Sequence, residues 1–234
     1  MGANVYTVFN ETEEPLGIYS AEGTERRSGS FLQQWFHRRP QTALAVICRE
    51  TGARRDGPAV QASMSGVIRL LTAFEQWFGR EFPGNMHPFS ADVVKRYWQG
   101  LIGHVSEPGR PPLDVAVLLV HAGQYVFCSR GSFSVYEVTA SGQRSSQWFT
   151  GMERRRLDEE LGIAQEEMSE LQFRHRRIKE KTVFILSQKE ISWQIEACAG
   201  KWNFTGCRFR KAMERLAECT CCVAVAADGA GGGV

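Results

Sequence analysis

No stretch of this 234-residue chain reaches the ~18 consecutive apolar residues that a membrane-spanning helix needs. A large net charge is missing too. Lys and Arg total 28 against 26 Asp and Glu, leaving +2 with His neutral, so no global field argues for a nucleic acid or a membrane surface as partner. The opening residues MGANVYTVFNETEE have neither the basic start nor the apolar stretch of a secretory leader. Tyr6 stands where an N-myristoylation motif wants Ser or Thr. The seven cysteines, Cys48, Cys128, Cys198, Cys207, Cys219, Cys221 and Cys222, are odd in number and lie mostly inside apolar runs rather than at framework spacings. They read as buried thiols of a reducing compartment, and a cytoplasmic protein is expected. What remains is an ordinary globular composition, 43% hydrophobic and 23% charged, sufficient for a core. A single domain over residues 1–227 followed by a flexible Gly-rich tail at 228–234 is expected.

Hydrophobic period orders the chain. Val5–Phe9 and Leu16–Ser20 are short strand candidates on either side of a turn-rich NETEEP. The continuous run Thr42–Cys48 predicts a strand covered on both faces. From Pro58 to Phe82, apolar residues recur at three- and four-residue steps (Val60, Met64, Val67, Ile68, Leu71, Phe74, Phe78), the stripe of a long amphipathic helix. Ser90–Val105 predicts a second helix capped by Ser90. Asp114–His121, a turn at Ala122-Gly123, Tyr125–Ser129 and Phe133–Thr139 read as an antiparallel meander. A charged stretch from Gly151 to Lys181 follows, with helical potential at Arg154–Leu161. Thr182–Ser187 is a buried strand, Cys207–Cys219 a helix, and Cys221–Ala227 a final strand. This order fits an α+β class, a largely antiparallel sheet system with helices packed outside.

The same strings, in the same order, resemble one family: the metal-dependent Ser/Thr protein phosphatases of type 2C (PPM), in their bacterial form. In that family a strand ends in Asp-Gly-x-Gly-Gly and opens into a long helix. Here TALAVIC runs into Arg49-Glu50-Thr51-Gly52-Ala53 and the Pro58 helix. The family's strand, turn and strand ending in Gly-Asp-Ser are similar to DVAVLLVHAGQYVFCSRGSFSVY. Its Leu-Gly segment, strand and Ser-Asp-Gly are similar to LGIAQEEMSELQFRHRRIKEKTVFILSQKEIS, and its closing helix and Asp-Asn strand to CRFRKAMERLAECTCCVAVAA. The resemblance runs from Leu16 to Ala227. It implies two stacked antiparallel sheets flanked by helices, and a cluster of carboxylates holding two Mn2+ or Mg2+ ions that activate water and clamp the phosphate.

Those carboxylates are what this chain lacks. Matched strand to strand, the Asp of Asp-Gly-x-Gly-Gly falls on Arg49, that of Ser-Asp-Gly on Gln188 and that of Asp-Asn on Cys219. The Asp of the family's early Asn-Glu-Asp motif falls on Gly29 or Phe31, and no acid occurs between Glu25 and Glu50. None lies between Asp114 and Glu137 either, so the Gly-Asp-Ser turn is lost. A guanidinium ~4 Å from a metal charge adds repulsion on the order of 4 kcal/mol at an effective dielectric near 20, so Arg49 would oppose metal binding. Arg26 and Arg49 are candidates for holding an anion, and Arg49 for tethering Glu50. The resemblance therefore implies a pseudophosphatase that needs no metal cofactor, acting as a protein-binding or regulatory module of phospho-signalling. Two alternatives stay open. One is a weak metal-dependent phosphatase with a single metal held by Glu50, Asp56 or Asp114. The other is a scaffold subunit without ligand.

Competing chemistry is thinner. Cys219, Cys221 and Cys222 with Cys198 and Cys207 are poor zinc ligands, because Cys-Thr-Cys-Cys enters an apolar strand whose side chains alternate faces. No local arrangement pairs a thiol with His37, His87, His104, His121 or His175. The basic runs His37–Arg39 and Arg174–Lys181 read as solvated faces, with a phosphate-binding patch as the functional alternative. The tryptophans, Trp35, Trp77, Trp98, Trp148, Trp193 and Trp202, are expected mostly in the core.

Overall fold

The computed structural model describes residues 3–8, 17–28, 31–50, 72–73, 76–77, 80, 90–105, 113–131, 133–139, 145–150, 172–187, 191–197, 211–212, 215–216 and 222–227. Strands β1 (Ala3–Val8), β2 (Gly17–Ser28), β3 (Phe31–Glu50), β4 (Leu113–His121), β5 (Gln124–Arg130), β6 (Phe133–Thr139), β7 (Ser145–Thr150), β8 (Gln172–Arg177), β9 (Thr182–Ser187) and β10 (Cys222–Ala227) form two five-stranded sheets. Sheet A has the order β1-β10-β9-β6-β7 and sheet B the order β2-β3-β4-β5-β8. Every pairing is antiparallel. Helix α1 is Ala91–Val105 and helix α2 is Ser192–Ala197.

Alternation of side chains along each strand explains the layers. Ala43, Ala45 and Ile47 of β3, Ala116, Leu118 and Val120 of β4, and Tyr125 and Phe127 of β5 form one buried cluster with Phe133, Val135, Phe184, Leu186, Val225 and Ala227 of sheet A. This is the interior, two sheets stacked face to face. Its aromatic centre is Tyr125 against Phe184, ring centroids 4.7 Å apart. The opposite rows are buried as well, which is why these runs read as continuously apolar. On sheet A, Tyr136, Val138, Val183, Ile185, Cys222, Ala224 and Ala226 lie under Ile191, Ile195, Ala212 and Leu216, which belong to α2, its start and the helical residues 211–212 and 215–216. On sheet B, α1 lies against β5 and buries Val94 and Trp98. Tyr97 of α1 stacks on Trp77 with centroids 4.0 Å apart and planes 10° apart. The chain is thus an α+β sandwich, helices outside and sheets inside. Trp77 and Trp98 are core residues, whereas Trp193 on α2 is 77% exposed.

Several expectations need correction. Strands β2 and β3 run far beyond Leu16–Ser20 and Thr42–Cys48. Gly23 and Pro40 look like stops, but the ladder absorbs them as register shifts between Glu22 and Gly23 and between Gly23 and Glu25, where β3 carries the extra residues around Pro40. The meander is also wrong in its last member. Phe133–Thr139 leaves sheet B and pairs with β7 and β9 in sheet A. Strand β7 has no counterpart in the sequence reading, nor does α2. Part of the basic run taken as a solvated face is strand β8. The turn at Ala122-Gly123 stands where expected, both residues at positive φ (47° and 72°), the backbone of a two-residue hairpin whose twist suits the flanking strands. Only residues 72–73, 76–77 and 80 of the Pro58–Phe82 helix, and 211–212 and 215–216 of the Cys207–Cys219 helix, are described, all helical. Residues 154–161 and the tail 228–234 lie outside the described residues.

Candidate functional site

Strand β5 ends at Arg130 and β6 starts at Phe133, so one short connection carries the chain from sheet B to sheet A. Around it gather the end of β3 and the start of β4, with Arg49 opposite Asp114 and Glu50 opposite Leu113. Arg130 stands opposite Val115. In sheet A the same rim holds Ser134 of β6, Ser187 of β9 and Cys222 of β10, aligned across three strands. Gln188 follows directly on Ser187, and Cys219 precedes β10 by a few residues. Both lie outside the described residues, but the strand ends from which they continue share this rim with Arg49. Asp56 is likewise outside them.

Asp114 is the centre of what is described. Its place in β4 continues the inward row Ala116, Leu118 and Val120, and the residue is only 4% exposed. The carboxylate lies against the backbone of Gly131, which has φ 93°; a Cβ at that position would overlap Asp114 Oδ1 and Cγ. Glycine is required there twice over, by backbone angle and by close approach. One place along the inward row of β5, Ser129 is fully buried with no hydrogen-bond partner for its hydroxyl. Ser134, opposite Ser187 on the far face of sheet A, is a second such orphan. Leaving a buried hydroxyl unpaired costs about 1–3 kcal/mol, and such groups are found where ligands or water complete the site.

The other expected site residues do not converge. Arg26 is opposite Gln33, near the Ser28–Phe31 end of the β2–β3 hairpin, whereas Arg49 is at the other end of β3. The two arginines cannot share one anion because β3 continues through Pro40 instead of stopping. Gly29 is outside the described residues, between Ser28 and Phe31 at that same far end. Asp114, weighed in the sequence only as a spare acid, is the residue that the register singles out. The signal is faint: one acid leading an apolar strand after EPGRPP.

The described thiols offer no nucleophile. Cys128 and Cys222 are buried and unbridged. Burial pushes the Cys128 thiol far above its usual range, with Lys95 opposing only in part, so it stays protonated. Among the described residues no three His, Cys, Asp or Glu side chains cluster as metal ligands would, and no helix is long and apolar enough to cross a membrane.

Comparison with known proteins places this fold. No family model and no curated protein matches the sequence, but solved structures do. The serine/threonine phosphatase of S. agalactiae matches with a TM-score of 0.58 at 9% identity, over 97% of this chain and 98% of that one. Stp1, a serine/threonine phosphatase from Staphylococcus aureus, matches at 0.57 and 9%, over 96% and 94%. PppA, described as a key regulatory component of the T6SS in Pseudomonas aeruginosa, matches at 0.57 and 12%, over 97% and 96%. The chain therefore has the fold of bacterial Ser/Thr phosphatases and resembles the type 2C (PPM) family along nearly its whole length.

Proposed function

We propose that this chain is a catalytically inactive type 2C phosphatase-like domain, a cytoplasmic protein-binding or regulatory module of phospho-signalling. The observation that carries the reading is the pairing of Arg49 with Asp114 at the rim where the resemblance puts a metal-binding Asp. The residues there do not fit a pair of divalent cations: among the described side chains the rim holds one buried carboxylate, with an arginine position, Arg49, opposite it in register, and adjacent dications are held only where carboxylates neutralise them. In the proposed arrangement a cationic residue, Arg49, stands in register opposite Asp114 where the family would place another carboxylate. The domain keeps the phosphatase shape without the phosphatase metals.

Residual hydrolysis with one metal at Asp114 is the rival reading, favoured by the burial of that acid at the rim. Calorimetric titration with Mn2+, run beside a p-nitrophenyl phosphate assay, separates the two. The expected result is neither tight metal binding nor turnover above the blank. Tight binding with turnover that Glu50→Ala or Asp114→Asn abolishes would overturn the proposal.

A further inference from the structure

Strand β8 closes one side of sheet B, and among the described residues no strand pairs with its other side. The Ile178 N–H donates to the Gly123 carbonyl at 2.9 Å, and Gly123 precedes the Gln124–Arg177 pair in register. Antiparallel ladders alternate, so the N–H groups of Arg174 and Arg176 point to β5 while those of Phe173 and Arg177 point away from it, to the side where no described strand pairs. The edge offers a row of backbone donors and acceptors at strand spacing. Its charged side chains are almost all cationic. Arg176, Arg177, Lys179 and Lys181 are exposed, Arg174 is half-buried, and Glu180 is the one acid from Gln172 to Lys181. His175 adds no charge near neutral pH, because desolvation holds its pKa below the usual value.

We propose that this edge binds an extended acidic segment of a partner protein by strand addition. Backbone hydrogen bonds would supply register, and Arg176, Arg177, Lys179 and Lys181 would supply the selection for Asp and Glu. A second copy of this chain is the wrong partner, since like charges would then lie opposite one another across the new ladder. A nucleic acid satisfies the charges but not the row of peptide donors and acceptors. The surface is separate from the Arg49–Asp114 rim and stands whether or not that rim binds metal.

The test uses fluorescence anisotropy of the full chain with a short labelled peptide alternating Glu and Val. Controls are its Lys-Val counterpart, an N-methylated Glu-Val peptide that has lost alternate donors, and an oligothymidylate. Saturable binding of the Glu-Val peptide is expected, weakened about tenfold or more by N-methylation and by the double substitution Arg176→Glu, Arg177→Glu, and weakened by salt. Both substituted positions are exposed, and the N-methyl arm needs no variant at all. Equal binding of the N-methylated peptide would overturn strand addition, and tighter binding of the oligothymidylate would overturn the peptide as partner. If the Glu-Val peptide binds only after Glu166, Glu167 and Glu170 are changed to Gln, the chain's own acidic stretch is the occupant and the proposal fails.

Discussion

Arg49 and Asp114 are directly opposed across the β3–β4 ladder at the rim joining the two sheets, and Asp114 is 4% exposed. The proposed metal-free rim makes these register neighbours an ion pair, and a buried ion pair is costly to break from either side. Arg49→Met and Asp114→Asn are each expected to lower unfolding free energy by about 3 kcal/mol in urea titrations, and the double variant by less than the sum. Strict additivity would separate the two residues energetically and remove the main support for a metal-free rim.

Gly131→Ala acts on the same place through sterics. The new methyl would collide with the Asp114 carboxylate at a backbone angle that L-residues avoid. A loss of about 2–4 kcal/mol in chemical denaturation is expected, relieved in part by Asp114→Ala, which removes the Cγ and Oδ1 that the methyl would meet.

On the far face of sheet A the Tyr136 hydroxyl accepts a hydrogen bond from the Ile191 N–H at 2.6 Å, in a buried setting just before α2. Tyr136→Phe keeps the ring and orphans that N–H, for an expected loss of about 1–3 kcal/mol. Amide exchange at Ile191 should accelerate more than exchange in β4, which the substitution does not touch.

His175 sets a pH dependence. Desolvation depresses its folded pKa, with Asp92 opposing in part, while its Nε2 lies 3.0 Å from Gln124 Oε1. The unfolded chain then binds the proton first as pH falls, so this residue's contribution is intact above the unfolded value of about 6.5 and shrinks on acidification below it. Melting temperature should drop between neutral and mildly acidic pH, and His175→Gln should flatten that drop. An unchanged slope in the variant would assign the effect to other groups.

The legible parts of the fold are those whose residues are buried on both faces. Thr182–Ser187, Asp114–His121 and Cys221–Ala227 read as strands, and in all three the described side chains are buried on both rows. Edge strands lack that signature: β7 (SSQWFT) is mostly polar, and β8 carries the charge of a solvated loop. The transfer of β6 to sheet A is not local information, since it depends on partners in β9 that lie far along the chain. The site was legible in its losses more than in its contents. Arg49, Gln188 and Cys219 stand out only against a family pattern, whereas the register of Arg49 opposite Asp114 arises when β3 meets β4, which lies far along the chain.

In sheet A the first and last described strands pair, Ala3 opposite Ala227 and Val8 opposite Cys222. The consequence is kinetic. Strand β1 is made before all the other described strands and its sheet neighbour β10 after them, so the contact between them closes the longest loop among the described strand pairs. During synthesis β1 must wait for β10 while sheet B can already assemble from strands made before β10. Refolding is expected to be slow, with sheet B protected first and the β1–β10 seam last.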